Sequence, residues 1–165
     1  MATTTKTTTT NRTTKQTTEE PILGIYPLLD DMKLPEFKTA GASCMDVYLP
    51  ENVRIGGKFQ FVSQPISLGF KLDIPEGYSV RLHMRSSIAC DVPIQLANST
   101  GIIDSDFTGE VTAFVRNLTN EAFYFYKDER VFQLELVKDE RVKTKVLSTY
   151  DKKTNRGETS GSTGR

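Results

Sequence analysis

The chain has 165 residues, enough for one domain with flanking segments, and its 21 Lys and Arg balance 21 Asp and Glu, so no global field favours nucleic acid. No apolar run approaches the roughly 20 residues that cross a bilayer, and residues 1–20 lack the apolar core of a signal peptide. Cys44, Cys90 and the single histidine, His83, make neither a disulfide framework nor a zinc site, so the expected setting is a reducing cytoplasm with both thiols free.

Residues 1–20 are threonine-dominated, carry almost nothing to bury, and are expected to form a disordered tail. Residues 21–150 are expected to form the folded body. Its clearest strand is Ile66–Ile74, where apolar and polar residues alternate without a break, the period of a half-buried strand. Pro75–Glu76–Gly77 then supplies a tight turn. Val80, Leu82 and Met84 continue the alternation, which puts Arg81, His83 and Arg85 on the other face. Val111, Ala113 and Val115 alternate with Thr112, Phe114 and Arg116, and Glu121–Tyr126 and Val131–Val137 read as further strands. No amphipathic helix is expected. Many short strands between turn signals predict an all-β, jelly-roll-like barrel. Residues 151–165 turn basic, polar and glycine-rich; such a segment is usually disordered, yet its backbone N–H groups and hydroxyls suit an anion.

Ser99–Glu110 reads as a β-hairpin arm with Asp104 directly after Ile102 and Ile103. A carboxylate beside branched aliphatics is costly unless solvated, paired or functional. Asp104 is the candidate general base for a hydrolytic water, a role worth about 10²–10⁴-fold. The plain alternative is a turn aspartate capping backbone N–H groups, which is the preferred reading for Asp106. Asn98 carries an amide suited to a pyrimidine edge, or is a turn asparagine at positive φ. Phe107 is a floor under a sugar or ordinary core. Arg85–Ser86–Ser87 at a strand end can cradle phosphate, or be a solvated surface. Asp46, in a small-residue turn entering a strand, can hold a water on hydrated Mg²⁺, or is a turn acid. Gln133 lies opposite Phe132 and Leu134, a position that usually faces solvent, and His83, with no visible partner, reads as a surface or packed residue.

Taken in order, Gly41–Tyr48, Met84–Ala89, Gly101–Glu110, Asp128–Leu134 and Arg156–Gly164 resemble the five signature motifs of the trimeric dUTP diphosphatases (dUTPases), with Leu68–Gly77 resembling a strand and turn of that family. The resemblance implies a homotrimeric jelly roll with an exchanged C-terminal arm and sites between subunits. It implies hydrolysis of dUTP to dUMP and pyrophosphate with Mg²⁺, which limits uracil in DNA and supplies dUMP for thymidylate synthesis. Carried over by position, Asp104 activates water. Asn98 and the 98–103 backbone, including Gly101 and Ile103, read uracil, and Phe107, where the family usually has tyrosine, stacks on deoxyribose. Arg85, Ser86, Ser87 and Gln133 serve the phosphates, Arg156, Gly161, Ser162 and Thr163 close over them from another subunit, and Asp46 holds a metal-bound water.

Two departures stand out. The fifth motif is one residue short and lacks its phenylalanine, with Thr159 and Ser160 in that region. Cys44 and Met45 replace the usual glycine and aromatic of the first, which puts Cys44 near the site or in packing. Two other readings stay open. A dCTP deaminase of the same superfamily would need a glutamate in a triplet that here reads Thr112–Ala113–Phe114. A regulatory binding protein on the dUTPase scaffold would bind a protein partner, with the threonine-rich tail as the one extra segment for it.

Overall fold

The computed structural model describes residues 20–57 and 63–149. The expected tail and the C-terminal arm, with Arg156, Gly161, Ser162 and Thr163, therefore lie outside the described residues. Strands β1 (Gly24–Pro27), β2 (Met45–Tyr48), β3 (Val53–Ile55), β4 (Gln64–Ser67), β5 (Phe70–Asp73) and β6 (Tyr78–Met84) lead to a short helix, α1 (Ser86–Asp91). Then come β7 (Ile94–Leu96), β8 (Gly101–Ile103), β9 (Thr112–Asn117), β10 (Phe123–Phe125) and β11 (Arg130–Lys138). Among the described residues, no helix is long and apolar enough to cross a membrane.

All pairings are antiparallel and make four sheets: β1–β5, β10–β3, β2–β11–β6–β8 and β4–β9–β7. The class is all-β, as expected, but the ladders do not close into one barrel among the described residues. Val47, Val80, Leu82, Phe132 and Leu134 from the four-stranded sheet meet Ile66, Ala113, Val115, Ile94 and Leu96 from the three-stranded one in a single core. Each of the valine, leucine, isoleucine and phenylalanine side chains among them contributes about 1.5–3 kcal/mol through removal from water.

The run expected as one strand over Ile66–Ile74 is two, β4 and β5, because the chain turns at Gly69, whose φ is +76°. Inward parity survives the break: Ile66, Leu68, Phe70, Leu72 and Ile74 are all buried. The turn after β5 closes as expected, with the Tyr78 N–H donating to the Pro75 carbonyl (3.1 Å) and Gly77 at φ +81°. Helix α1 was not expected; at six residues with no buried face it leaves no apolar stripe in the sequence.

Two irregularities position the site residues. β8 pairs with β6 and β9 with β4 and β7, so Ser99–Glu110 is not a paired hairpin, contrary to the expectation for the arm, and Ala97–Thr100 crosses between sheets. In β11 the register slips between Arg130 and Phe132, a β-bulge that leaves Val131 and Phe132 consecutively buried.

Candidate active site

The core alternation of β6 and β9 leaves a cleft of about 330 Å³ where β8 and the two loops flanking it meet. Of the expected site residues, Asn98, Gly101, Ile103, Asp104 and Phe107 line it. Asp104 follows β8 directly, and its carbonyl accepts the Phe107 N–H (3.1 Å), closing a β-turn over Asp104–Phe107. The turn thus uses the backbone of Asp104, and its carboxylate has no hydrogen-bond or ion-pair partner among the described residues. Asp104 thus lines the cleft, and its carboxylate caps no backbone N–H among the described residues. Asp106, for which capping was preferred, caps nothing among the described residues either and does not line the cleft.

The remaining lining is shaped by two glycines. A Cβ on Gly101 would meet Leu82 Cβ at 3.2 Å and the Asn98 amide nitrogen at 3.7 Å, so glycine there leaves the amide its room. A Cβ on Gly109 would stand 2.6 Å from Phe107 Cζ: the ring lies over that glycine. Phe107 is 46% exposed and so is not core. Positive φ, weighed for Asn98, occurs instead at Ser99 (62°). Glu110, at the cleft edge, is held by the Ser67 hydroxyl and by the Gly69 N–H (2.9 Å). Asp104 also borders a second, more open cleft of about 430 Å³ with Arg81, Lys138 and Arg141 on its walls beside Asp139 and Glu140.

The other expected residues gather elsewhere. Asp46 is not in a turn but inside β2, 8% exposed, and joins two arginines. Arg85 Nε lies 3.2 Å from Asp46 Oδ1, and Arg130 Nη1 donates to Asp46 Oδ2 (3.0 Å). Arg85 Nη1 also donates to the Arg130 carbonyl (2.9 Å), and its backbone N–H to Val131 O (3.0 Å). Arg85 itself caps the start of α1 in extended conformation, which leaves Ser86 and Ser87 exposed at the first turn. Gln133 is half-buried, in register between Asp46 on β2 and His83 on β6. His83 has a partner after all: its Nε2 lies 3.1 Å from Glu135 Oε2. Cys44 is partly buried; burial first, and the charges of Glu135 and Asp46 after it, push its thiol above the usual value.

None of Asp46, Arg85, Ser86, Ser87 and Gln133 lines the cleft of Asp104, so one chain presents two separate groups. Arg130 was missed as a ligand of Asp46, although it stands in the fourth motif three residues before Gln133. Phe114 was missed as a cleft residue; an aromatic at an outward position of an alternating strand was the available signal.

Known proteins resemble this chain over most of its length. The family model described as dUTPase matches residues 30–164. A deoxyuridine 5'-triphosphate nucleotidohydrolase of Fusobacterium nucleatum is 33% identical over 139 residues, covering 82% of this chain and 92% of that protein. One from Hydrogenobaculum sp. is 34% identical over 124 residues, covering 73% and 85%. The structure of Staphylococcus bacteriophage 80alpha dUTPase with dUPNHPP superposes with a TM-score of 0.76 at 22% identity, over 87% of this chain and 99% of that one. A point mutant of the dUTPase from phage phi11 of S. aureus, whose structure details coordination of a structural Mg(II) ion, gives 0.70 at 17% identity, over 78% and 98%. With the match spanning the cleft, the Asp46–Arg85–Arg130 cluster and nearly all of the strands between them, the chain belongs to the dUTPase family.

Proposed function

We propose that the chain is a dUTP diphosphatase, hydrolysing dUTP to dUMP and pyrophosphate. The observation that carries this reading is the unpartnered carboxylate of Asp104 at the mouth of a cleft that also presents the Asn98 amide and the Phe107 ring. Asp104 takes a proton from water, whose oxygen attacks the phosphoanhydride between the α and β phosphorus; that bond breaks and pyrophosphate leaves. Asn98 and the backbone around Gly101 and Ile103 read the uracil edge, and Phe107 stacks on the deoxyribose, leaving no room for a 2′-hydroxyl. The deaminase reading lacks its proton shuttle, because Phe114 occupies that position.

The phosphates are assigned to Arg85, Ser86, Ser87 and Gln133, with Arg85 pre-aimed by Asp46 so that little ordering remains at the moment of reaction. Among the described residues no group of three or more His, Cys, Asp or Glu could cage a metal. The donor set instead suits a Mg²⁺ held mainly by substrate oxygens and waters: the Asp46 carboxylate has about four acceptor sites and spends two on arginine, leaving it able to hold a metal-bound water. When bound, the cation would neutralise phosphate charge.

The two groups of site residues support a homotrimer in which the cleft of one subunit meets the arginine cluster of another. The extended stretch after β11, with Val142, Val146 and Leu147 between 62% and 97% exposed, supports a crossing of the chain onto a neighbour. Residues 21–150 would form the jelly-roll body, residues 1–20 a separate tail, and Arg156, Gly161, Ser162 and Thr163 of the 151–165 arm would cover the triphosphate. Two free cysteines suit a cytoplasmic setting.

Pyrophosphate release from dUTP, dTTP, dCTP and UTP, with Mg²⁺, tests the reading. Release from dUTP alone, lost in Asp104→Ala, is the expected result; no release from dUTP would overturn it.

A further inference from the structure

We propose that Phe114 is a further substrate-binding residue of the Asp104 cleft, its ring meeting the flat face of the base whose edge is read beside Asn98. The proposal rests on the nucleoside reading given above. Ala113 and Val115 on β9, like Val111 just before it, point inward at 1% exposure or less, while Phe114 points outward with 47% of its surface exposed. It shares that outward face with Thr112 and Arg116, so its ring is the one large apolar group there. The ring is not stranded on a flat surface: it lines the cleft together with Ile102 and Phe107, themselves 65% and 46% exposed. A planar ligand entering between them removes apolar surface from water on more than one side.

The backbone also ties this ring to the base-reading end. The Ala97 N–H donates to the Phe114 carbonyl at 2.7 Å, so the residue before Asn98 is stitched to β9 at this position. An aromatic ring beside an amide gives two complementary contacts, a face for stacking and an edge for hydrogen bonds. Stacking is tolerant of base identity and the amide is selective. The ring's cross-strand neighbour on β4 is Pro65, which is the competing use for it: plain surface packing.

The chain has no tryptophan, so Phe114→Trp introduces a single tryptophan, at the cleft, that can be excited selectively. Two variants settle the matter in the full-length protein. Phe114→Ala is expected to raise the KM for dUTP on the order of tenfold, the loss falling on KM rather than kcat. Phe114→Trp is expected to change its emission when dUMP is added. An unchanged KM in Phe114→Ala, or tryptophan emission indifferent to saturating dUMP, would overturn the proposal. So would a lower melting temperature or a smaller assembly mass at unchanged KM, which would assign the ring to protein packing. If the wild-type protein does not cleave dUTP, it is the diphosphatase reading that fails, and dUMP titration of Phe114→Trp still decides the role of the ring.

Discussion

Asp46 and Arg85 hold each other across two strands' ends, with Oδ1 3.2 Å from Nε, and the second oxygen of the same carboxylate takes Arg130. One acid therefore keeps two guanidinium groups apart and aimed. The carboxylate side chain is 12% exposed against 24% for Arg85 and 36% for Arg130, so solvent screens the Arg130 contact more.

Asp46→Ala removes the shared anion and leaves two like charges facing each other. Breaking a buried pair costs about 3–5 kcal/mol, and the partial exposure here lowers the expectation to about 2 kcal/mol, read from urea unfolding. The kcat/KM for dUTP is expected to fall at least roughly tenfold as Arg85 loses its aim. Binding of deoxyuridine, which has no phosphate, is expected to stay as in the wild type. A parallel loss of deoxyuridine binding would mean that the two groups of residues are not independent.

Gly109→Ala tests the ring beneath which that glycine lies. The added methyl would stand 2.6 Å from Phe107 Cζ, and the ring, at the free end of its side chain, would swing aside with little loss of stability. Displacement from the sugar is expected to lower the dUTP-to-UTP ratio of kcat/KM by roughly tenfold while the melting temperature stays near that of the wild type. Kinetics with both nucleotides and a thermal melt check it; an unchanged ratio would place the deoxyribose contact elsewhere.

The two thiols are expected to differ in reactivity. Because burial and two nearby carboxylates raise the Cys44 value above its ordinary 9.0, its thiolate forms only on the alkaline side of that pH. Cys90 is exposed. Iodoacetamide near neutral pH should label Cys90 first, and Cys44 labelling should rise only as pH passes the usual thiol range, as read by peptide mass mapping. Equal labelling near neutral pH would contradict the burial of Cys44.

Much of the core was legible in the alternation of single strands. Ile66 to Ile74, Val80 and Leu82, and Val111 to Val115 point inward as their spacing requires, because parity is a local property. Pairing between strands is not local. Nothing in the sequence near Ala97–Thr100 announces that β7 and β8 belong to different sheets, and the Arg130–Asp46 contact joins residues 84 apart. Helix α1 escaped notice because a single turn and a half with no buried side chain carries no periodic signal. Motif order singled out Asp104, Asn98 and Phe107, but that the three line one cleft, and that the turn at Asp104 uses its carbonyl, depends on contacts that motif order does not carry. Phe114 escaped because its neighbours in sequence gave it no company; its company comes from β8 and the loop after it.

The bulge in β11 gives the Arg-x-x-Gln spacing its meaning. In an unbroken strand, residues three apart face opposite sides, and Arg130 would look into the core if Gln133 looked out. The extra residue, Val131, absorbs one step: Arg130 comes opposite Tyr48 and Gln133 opposite Asp46, two positions of β2 that share a face. Deleting Val131 would therefore only straighten the strand, leaving Arg130 and Gln133 two apart and still on one face, whereas a residue inserted between Phe132 and Gln133 would act as a frameshift in three dimensions, turning one of these two side chains inward without altering either of them.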